Sequence, residues 1–243
     1  MRSECGMRIK SMNVFLKILM LFIISCSYGL AGDQTIQSTW AKSDPRLDTN
    51  PTSSFWQDSP AIYMDVDTHG NHDPKYRTEI RTRWTRQNLY FLFVCPYEQL
   101  NVKPSPNTFT ETYELWNWDA AEAFIGSDFR NIRRYKEFEI SPQGEWIDLD
   151  IDLNKPQHED GWKWNSGFEI SARIDKAARV WYGAMRIPYS AIDTRPAAAG
   201  NVLRINLFRS QGPASALHQI AWQSPMSESF HVPERFGLLK LVQ

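Results

Sequence analysis

Cysteine is scarce in this chain. Of Cys5, Cys26 and Cys95, only Cys95 falls in the body of the sequence. An intramolecular disulfide within the folded part is therefore excluded, and no cysteine or histidine cluster has the spacing of a zinc site. Charge of one sign is lacking too. The formal net charge is −1 and no basic run gathers on one face, which argues against nucleic acid as the main partner. A glycine-rich phosphate loop is absent, as are a nucleophile elbow and a serine or cysteine triad. No amphipathic helix of three turns and no fixed-period repeat can be read along the chain. His69, His72, His158, His218 and His231 are scattered through loops and strand ends, and the His69/His72 pair reads as surface residues.

What is present in excess is aromatic. Thirteen per cent of the residues are Phe, Trp or Tyr, ten of them Trp, which points to a β-rich core or a stacking surface. The N-terminus reads as a targeting segment. Arg8 and Lys10 precede an apolar run, Ile18 to Ile24, too short to span a bilayer and suited to a signal peptide. Two exits are open. Cleavage after Gly29-Leu-Ala31 gives a soluble protein, while Ile23-Ile-Ser25-Cys26 resembles a bacterial lipobox that leaves Cys26 lipid-anchored. Either way the expectation is export: secreted, periplasmic or held at the envelope. Without residues 1–31, 23 basic residues face 27 acidic ones. Residues 32–46 read as a linker, the stretch to Pro60 as an irregular entry, and 47–243 as one domain in which Trp56 packs.

Strand patterns fill the rest. Thr78 to Trp84 alternates as a half-exposed strand. After a turn, Leu89 to Cys95 is continuously apolar and reads as a central strand covered on both faces, with Cys95 packing as a small hydrophobe. Tyr135–Ile140 and Glu145–Leu153 flank a Ser141-Pro-Gln-Gly144 turn, and Phe168–Ile174 and Val180–Ile187 form a further hairpin. Asp148, Asp150 and Asp152 alternate with Leu149, Ile151 and Leu153. Same-face neighbours in a strand lie roughly 6.5–7 Å apart, too far for three to ligate one ion, so the aspartates read as a wet face. In the loop before Phe168, Trp162 and Trp164 suit either a stacking surface or the covering of a sheet edge.

The chain is organised around Trp116 to Ile125. From Trp118 onward the residues alternate, so that Glu122 shares a face with Trp118, Ala120 and Phe124, where a carboxylate is costly unless something binds it. Its order, W-x-x-D-x-x-E-x-F at Trp116, Asp119, Glu122 and Phe124, is followed far downstream by Phe230-His-Val-Pro233-Glu-Arg235-Phe236-Gly237. Together the two motifs resemble family 9 carbohydrate-binding modules and their family 9-like relatives, from about Asp48 to the C-terminus. The Trp84-turn-Leu89-Tyr-Phe hairpin and the Met185-Arg-Ile-Pro188 strand end add to the likeness, the latter without the family's acidic residue.

The resemblance implies an all-β fold, an antiparallel, jelly-roll-like β-sandwich, as a single domain after the signal peptide. It implies a ligand site at one end where two aromatic rings clamp a sugar. Trp116 falls at one stacking position and Phe230 at the other, Glu122 matches the acidic hydrogen-bonding residue, and a Trp at 162 or 164 is a further candidate. No cofactor is required. Structural calcium is bound by some relatives, and Asp119 is the candidate ligand here, with the holding of loop amides as its other reading. Two positions depart from the family: Glu139 stands where a basic residue contacts sugar, and Ser227 where an amide can stand. Both alter the hydrogen-bond pattern. The implied function is non-catalytic binding of an oligo- or polysaccharide, supporting its capture or breakdown outside the cell, with a separate glycoside hydrolase as the implied partner. Hydrolysis of O-glycosyl bonds is the rival, but Asp119 and Glu122 fall on opposite strand faces and cannot flank one bond. A haem- or redox-binding sandwich is the third reading and lacks a motif placing a Met/His pair.

Overall fold

The computed structural model describes residues 34–155 and 162–243. The segment read as a leader, with Cys26 and the two expected cleavage exits, lies outside the described residues, as does His158. Within the described residues thirteen strands form one mixed sheet, nearly closed into a barrel-like shape. Among the described residues the helices are single turns, the longest being α1 (Ser54–Gln57) and α2 (Tyr189–Ile192).

One half of the sheet runs β8 (Trp146–Asp152), β7 (Arg134–Ile140), β6 (Ala120–Gly126), β11 (Val202–Gln211), β13 (Gly237–Val242). The other runs β4 (Thr78–Trp84), β5 (Asn88–Pro96), β10 (Val180–Pro188), β9 (Glu169–Asp175). The two halves are joined by β1 (Thr35–Trp40), which pairs in parallel with both β13 and β4. Three short strands branch off this order: β2 (Ile62–Met64) pairs with β4, β12 (His218–Ala221) with β11, and β3 (Val66–Asp67) with β12. The all-β expectation therefore stands, whereas a purely antiparallel sandwich does not. The reading of residues 32–46 as a linker is corrected for the same reason, since β1 is an integral strand. Its inward residues are Ile36 and a buried Ser38, whose hydroxyl bonds that of Thr82 at 3.0 Å, so no alternating apolar signal marks it. Gly237 is fixed by this joint. A Cβ there would stand 2.6 Å from both the carbonyl oxygen of Gln34 and the Trp222 ring.

The main core lies between the halves. Phe91, Phe93, Trp181 and Met185 face Phe138, Ile140, Ile205 and Leu207 across it, with Cys95 buried among them. Trp56 packs behind β5 with Tyr90 and Leu92, its indole N–H donating to the Asp48 carbonyl at 2.8 Å. The wet-face reading of the aspartate ladder is also corrected. Register places Asp148 opposite Phe138 and Asp150 opposite Lys136 on the core-facing side. Asp148 is buried and accepts from the Ser166 amide at 2.6 Å, and Asp150 pairs with Lys136 at 2.7 Å. The alternate residues Ile147, Leu149 and Ile151 are buried as well, so β8 is covered on both faces.

Candidate functional site

A second apolar cluster sits on the outer face of β6, β7, β8 and β11, away from the main core. Antiparallel register lays Glu122 opposite both Glu139 and Phe208, and Phe124 opposite both Glu137 and Asn206. That face is covered by two loops. The first ends in a single 3-10 turn, Leu115–Asn117, entered through Glu114 at φ 60°. A non-glycine residue in this left-handed region costs of order 1–3 kcal/mol. Leu115 is buried and anchors the turn, which leaves Trp116 half-buried at its outer side, edge-on to Tyr113 at 5.3 Å. Trp116 thus precedes the strand rather than belonging to it. The second loop carries Phe230 and His231. Arg204 secures it, donating to the carbonyls of Pro233 (2.5 Å) and Ile132 (3.2 Å) beneath the Phe236 ring.

Between them is a cavity of about 310 Å³ lined by Trp116, Asn117, Glu122, Phe124, Glu137, Ser210, Leu217, Gln219, Phe230 and His231. Three residues singled out in the sequence, Trp116, Glu122 and Phe230, meet here across more than a hundred positions of chain. Phe230 is 8% exposed, stacked on Phe208 at 4.2 Å with the planes 10° apart, so one of its faces is committed to that ring. His231 was not distinguished from the other histidines in the sequence. It stacks on Phe124 at 5.4 Å and its Nδ1 lies 2.6 Å from the Tyr135 hydroxyl. Its place directly after Phe230 in the C-terminal motif was the available signal.

The two loop tryptophans are elsewhere. Trp162 is 4% exposed in the outer cluster, its N–H donating to the Asp152 carbonyl at 3.2 Å, which is the covering role rather than a stacking platform. Trp164 lies on the other side of β7, edge-on to Phe138 at 6.2 Å and 4.3 Å from the Lys136 ammonium, walling a separate groove. Asp119 is buried, with Oδ1 accepting from the Gly212 amide at 2.7 Å. Burial pushes its carboxyl up to about 6, with that amide and Arg209 opposing. Among the described residues it forms no group with other metal-ligating side chains; Oδ1 holds the loop amide, and Oδ2 has no donor.

Among the described residues, one grouping of three acidic or metal-ligating side chains occurs: Glu122, Glu137 and Glu139, each offering an oxygen within 4.8 Å of the others. All three are buried. Glu122 has the Ser210 hydroxyl at 3.4 Å, whereas neither oxygen of Glu139 has a donor, nor has Oε2 of Glu137. Burial raises all three acids well above the carboxylate range, Glu137 to about 7; mutual repulsion adds to the rise in Glu122 and Glu139. Sequence reasoning found Glu122 and noted Glu139 as a departure. It missed Glu137, because only cross-strand register brings the three together.

Comparison with known proteins follows this geometry. The family described as carbohydrate family 9 binding domain-like matches residues 47–243. A family 9 carbohydrate-binding module from Caldicellulosiruptor kristjanssonii, solved with cellotriose, superposes with a TM-score of 0.61 at 12% identity, covering 86% of this chain and 93% of its own. The same description with glucose gives 0.59 at 12% identity over 84% and 95%. A candidate carbohydrate-binding protein from Bacteroides uniformis gives 0.67 at 15% identity over 85% and 98%. At these identities the likeness concerns the fold. No curated protein matches the chain.

Proposed function

The chain belongs to the carbohydrate family 9 binding domain-like family, and on that premise we propose that it binds a saccharide, without cleaving it, in the cavity between Trp116 and Phe230. One observation carries the reading: a single pocket of about 310 Å³ gathers both aromatic motifs and the Glu122 carboxyl. That volume is at the small end for ligand sites, fitting a sugar unit rather than a long chain buried end to end. The indole of Trp116 offers an apolar face to a pyranose ring. Phe124, Phe230 and His231 complete the wall, and Glu122, Ser210, Gln219 and Asn117 offer polar atoms to hydroxyls. The relatives solved with cellotriose and glucose support a saccharide as the ligand class.

Glycan-array screening of the full chain, followed by titration calorimetry on the best ligand, tests this. Trp116→Ala is expected to weaken binding at least tenfold, about 1.4 kcal/mol, while the melting temperature stays within a few degrees. Unchanged affinity removes Trp116 from the site. Hydrolysis is the second reading, and the close carboxyls favour it in one respect: oxygens within 4.8 Å approach the roughly 5 Å separation of retaining glycosidases. Yet Glu122, Glu137 and Glu139 stand side by side on one sheet face, so they meet a ligand from one side only. Release of reducing sugar by the pure protein, abolished in Glu122→Gln, would give the site to hydrolysis instead. The basic-then-apolar leader supports export, soluble or lipidated at Cys26, where the protein could supply substrate to a separate hydrolase; mass spectrometry of the mature N-terminus separates the two forms.

A further inference from the structure

We propose that the saccharide bound here is an amine-bearing one, whose ammonium group sits among Glu122, Glu137 and Glu139. This rests on the saccharide reading above and adds the ligand's charge. Acidic side chains directly opposite one another on neighbouring strands destabilise a sheet, and Glu122 and Glu139 are such a pair, with Glu137 two residues along the same face. Among the described residues, no lysine or arginine contributes to holding any of the three ionised. On the same face, Arg204 is committed to the carbonyls of Pro233 and Ile132. The independent sign of a missing ligand is Glu139. It is fully buried, no group outside the triad donates to either of its oxygens, its hydrogen-bonding neighbour is the Glu137 carboxyl, and it stands beside two carboxyls that open onto the cavity. Buried polar atoms ordinarily find partners.

The donor chemistry selects the class of cation. An alkylammonium brings three N–H donors and one charge, matching three carboxyls, and it gains further from the aromatic faces beside them. A calcium ion takes six to eight oxygen ligands, several of them waters or carbonyls. Here the cavity beside the triad is walled by Phe124, Phe230 and Leu217, and its added polar groups are the Ser210 hydroxyl, Asn117 and Gln219. A neutral hexose offers hydroxyls to the acids but no charge that would draw them into the ionised form.

The test is calorimetry of the full chain at neutral pH against three probes of equal length: a glucosamine oligosaccharide, its N-acetylated counterpart and a cello-oligosaccharide, each with and without EDTA. The amine-bearing probe is expected to bind at least tenfold tighter than the other two, unaffected by EDTA. Glu139→Gln, which keeps the shape of the side chain, is expected to remove most of that preference, and Glu137→Gln part of it. Equal or tighter binding of a neutral probe overturns the amine assignment while leaving the saccharide reading intact. Binding abolished by EDTA overturns it in favour of a metal ion on the carboxyls. No binding of any probe overturns both readings. The comparison among probes on the unsubstituted protein stands even if a variant fails to fold.

Discussion

The two faces of the β6–β11 pair both bury charge and treat it oppositely. On the core-facing side Arg209 is fully buried, yet it donates to Thr78 Oγ1 at 3.0 Å, to the Pro96 carbonyl at 2.6 Å and to Gln211. Nε is its one nitrogen without a partner. It thereby ties β11 to the chain around β4 and β5. One residue along the same strand, on the outer face, Ser210 is the donor beside a triad of acids in which both oxygens of Glu139 and Oε2 of Glu137 have none. A buried charge with its hydrogen bonds made is a structural clamp, while one left without donors is a cost that the fold carries for some other purpose. The difference assigns the inner face to stability and the outer face to ligand.

Removing the clamp should have the largest effect. Arg209→Met leaves the Pro96 carbonyl, Thr78 and Gln211 without their donor, and a loss of about 3 kcal/mol is expected. For a domain of this size that is roughly 6–12 °C in melting temperature, read by circular dichroism. Glu139→Gln, made on the opposite face at equal depth, should be neutral or stabilising at pH 8. If the two variants melt alike, the proposed division between the faces is wrong.

Next in size is the dependence of stability on pH. Burial raises the folded-state pKa values of the triad, so the folded form binds more protons than the unfolded one. The stabilisation is fully present below the unfolded value near 4.5 and is lost as pH rises through the folded value, about 7 for Glu137. At about 1.4 kcal/mol per unit, Glu137 alone is expected to withdraw on the order of 3 kcal/mol between those limits. Denaturant titrations from pH 4.5 to 8 should show the decline, and Glu137→Gln should flatten it. Glu122, Glu139, Tyr135 and His231 remain in the variant, so the difference between the two curves reports Glu137 together with its coupling to Glu122 and Glu139. A wild-type curve that rises over this interval would mean the triad is ionised and compensated in the free protein.

What was legible in the sequence was what short-range pattern encodes. The β4–β5, β7–β8 and β9–β10 hairpins follow from period-two runs and local turns, Gly144 among them at φ 88°. Pattern reports which residues share a face, not which face is inside. Hence the aspartates of β8 read as wet although Lys136 and Ser166 satisfy two of them within the structure. It is also blind to strands whose partners are remote, such as β1, which lies between β13 and β4. At the site, Trp116, Glu122 and Phe230 were visible because they stand in motifs. Glu137 and Glu139 acquire their meaning from facing Phe124 and Glu122 across the sheet, which is a property of register. Trp162 and Trp164 show the converse: an indole in a loop carries no mark of whether it covers the protein or a ligand.

The smallest expected effect sharpens the comparison at its boundary, where Asp119 is buried at the start of β6 between the two faces. If it is a loop-holding residue, Asp119→Asn should change little. Asparagine keeps Oδ1 as the acceptor for the Gly212 amide, which lies at 2.7 Å, and it removes a charge that burial already disfavours below about pH 6. The loss of attraction to Arg209 works against that gain, so at pH 8 the net change should stay within about 1 kcal/mol, the usual size of one hydrogen bond. Calcium should leave the melting temperature of both proteins unmoved. A calcium-dependent rise in the wild type that vanishes in Asp119→Asn would make Asp119 a metal ligand. In that case the inner face too would hold a charge kept for a bound ion, and the division between a stabilising and a binding face would no longer hold.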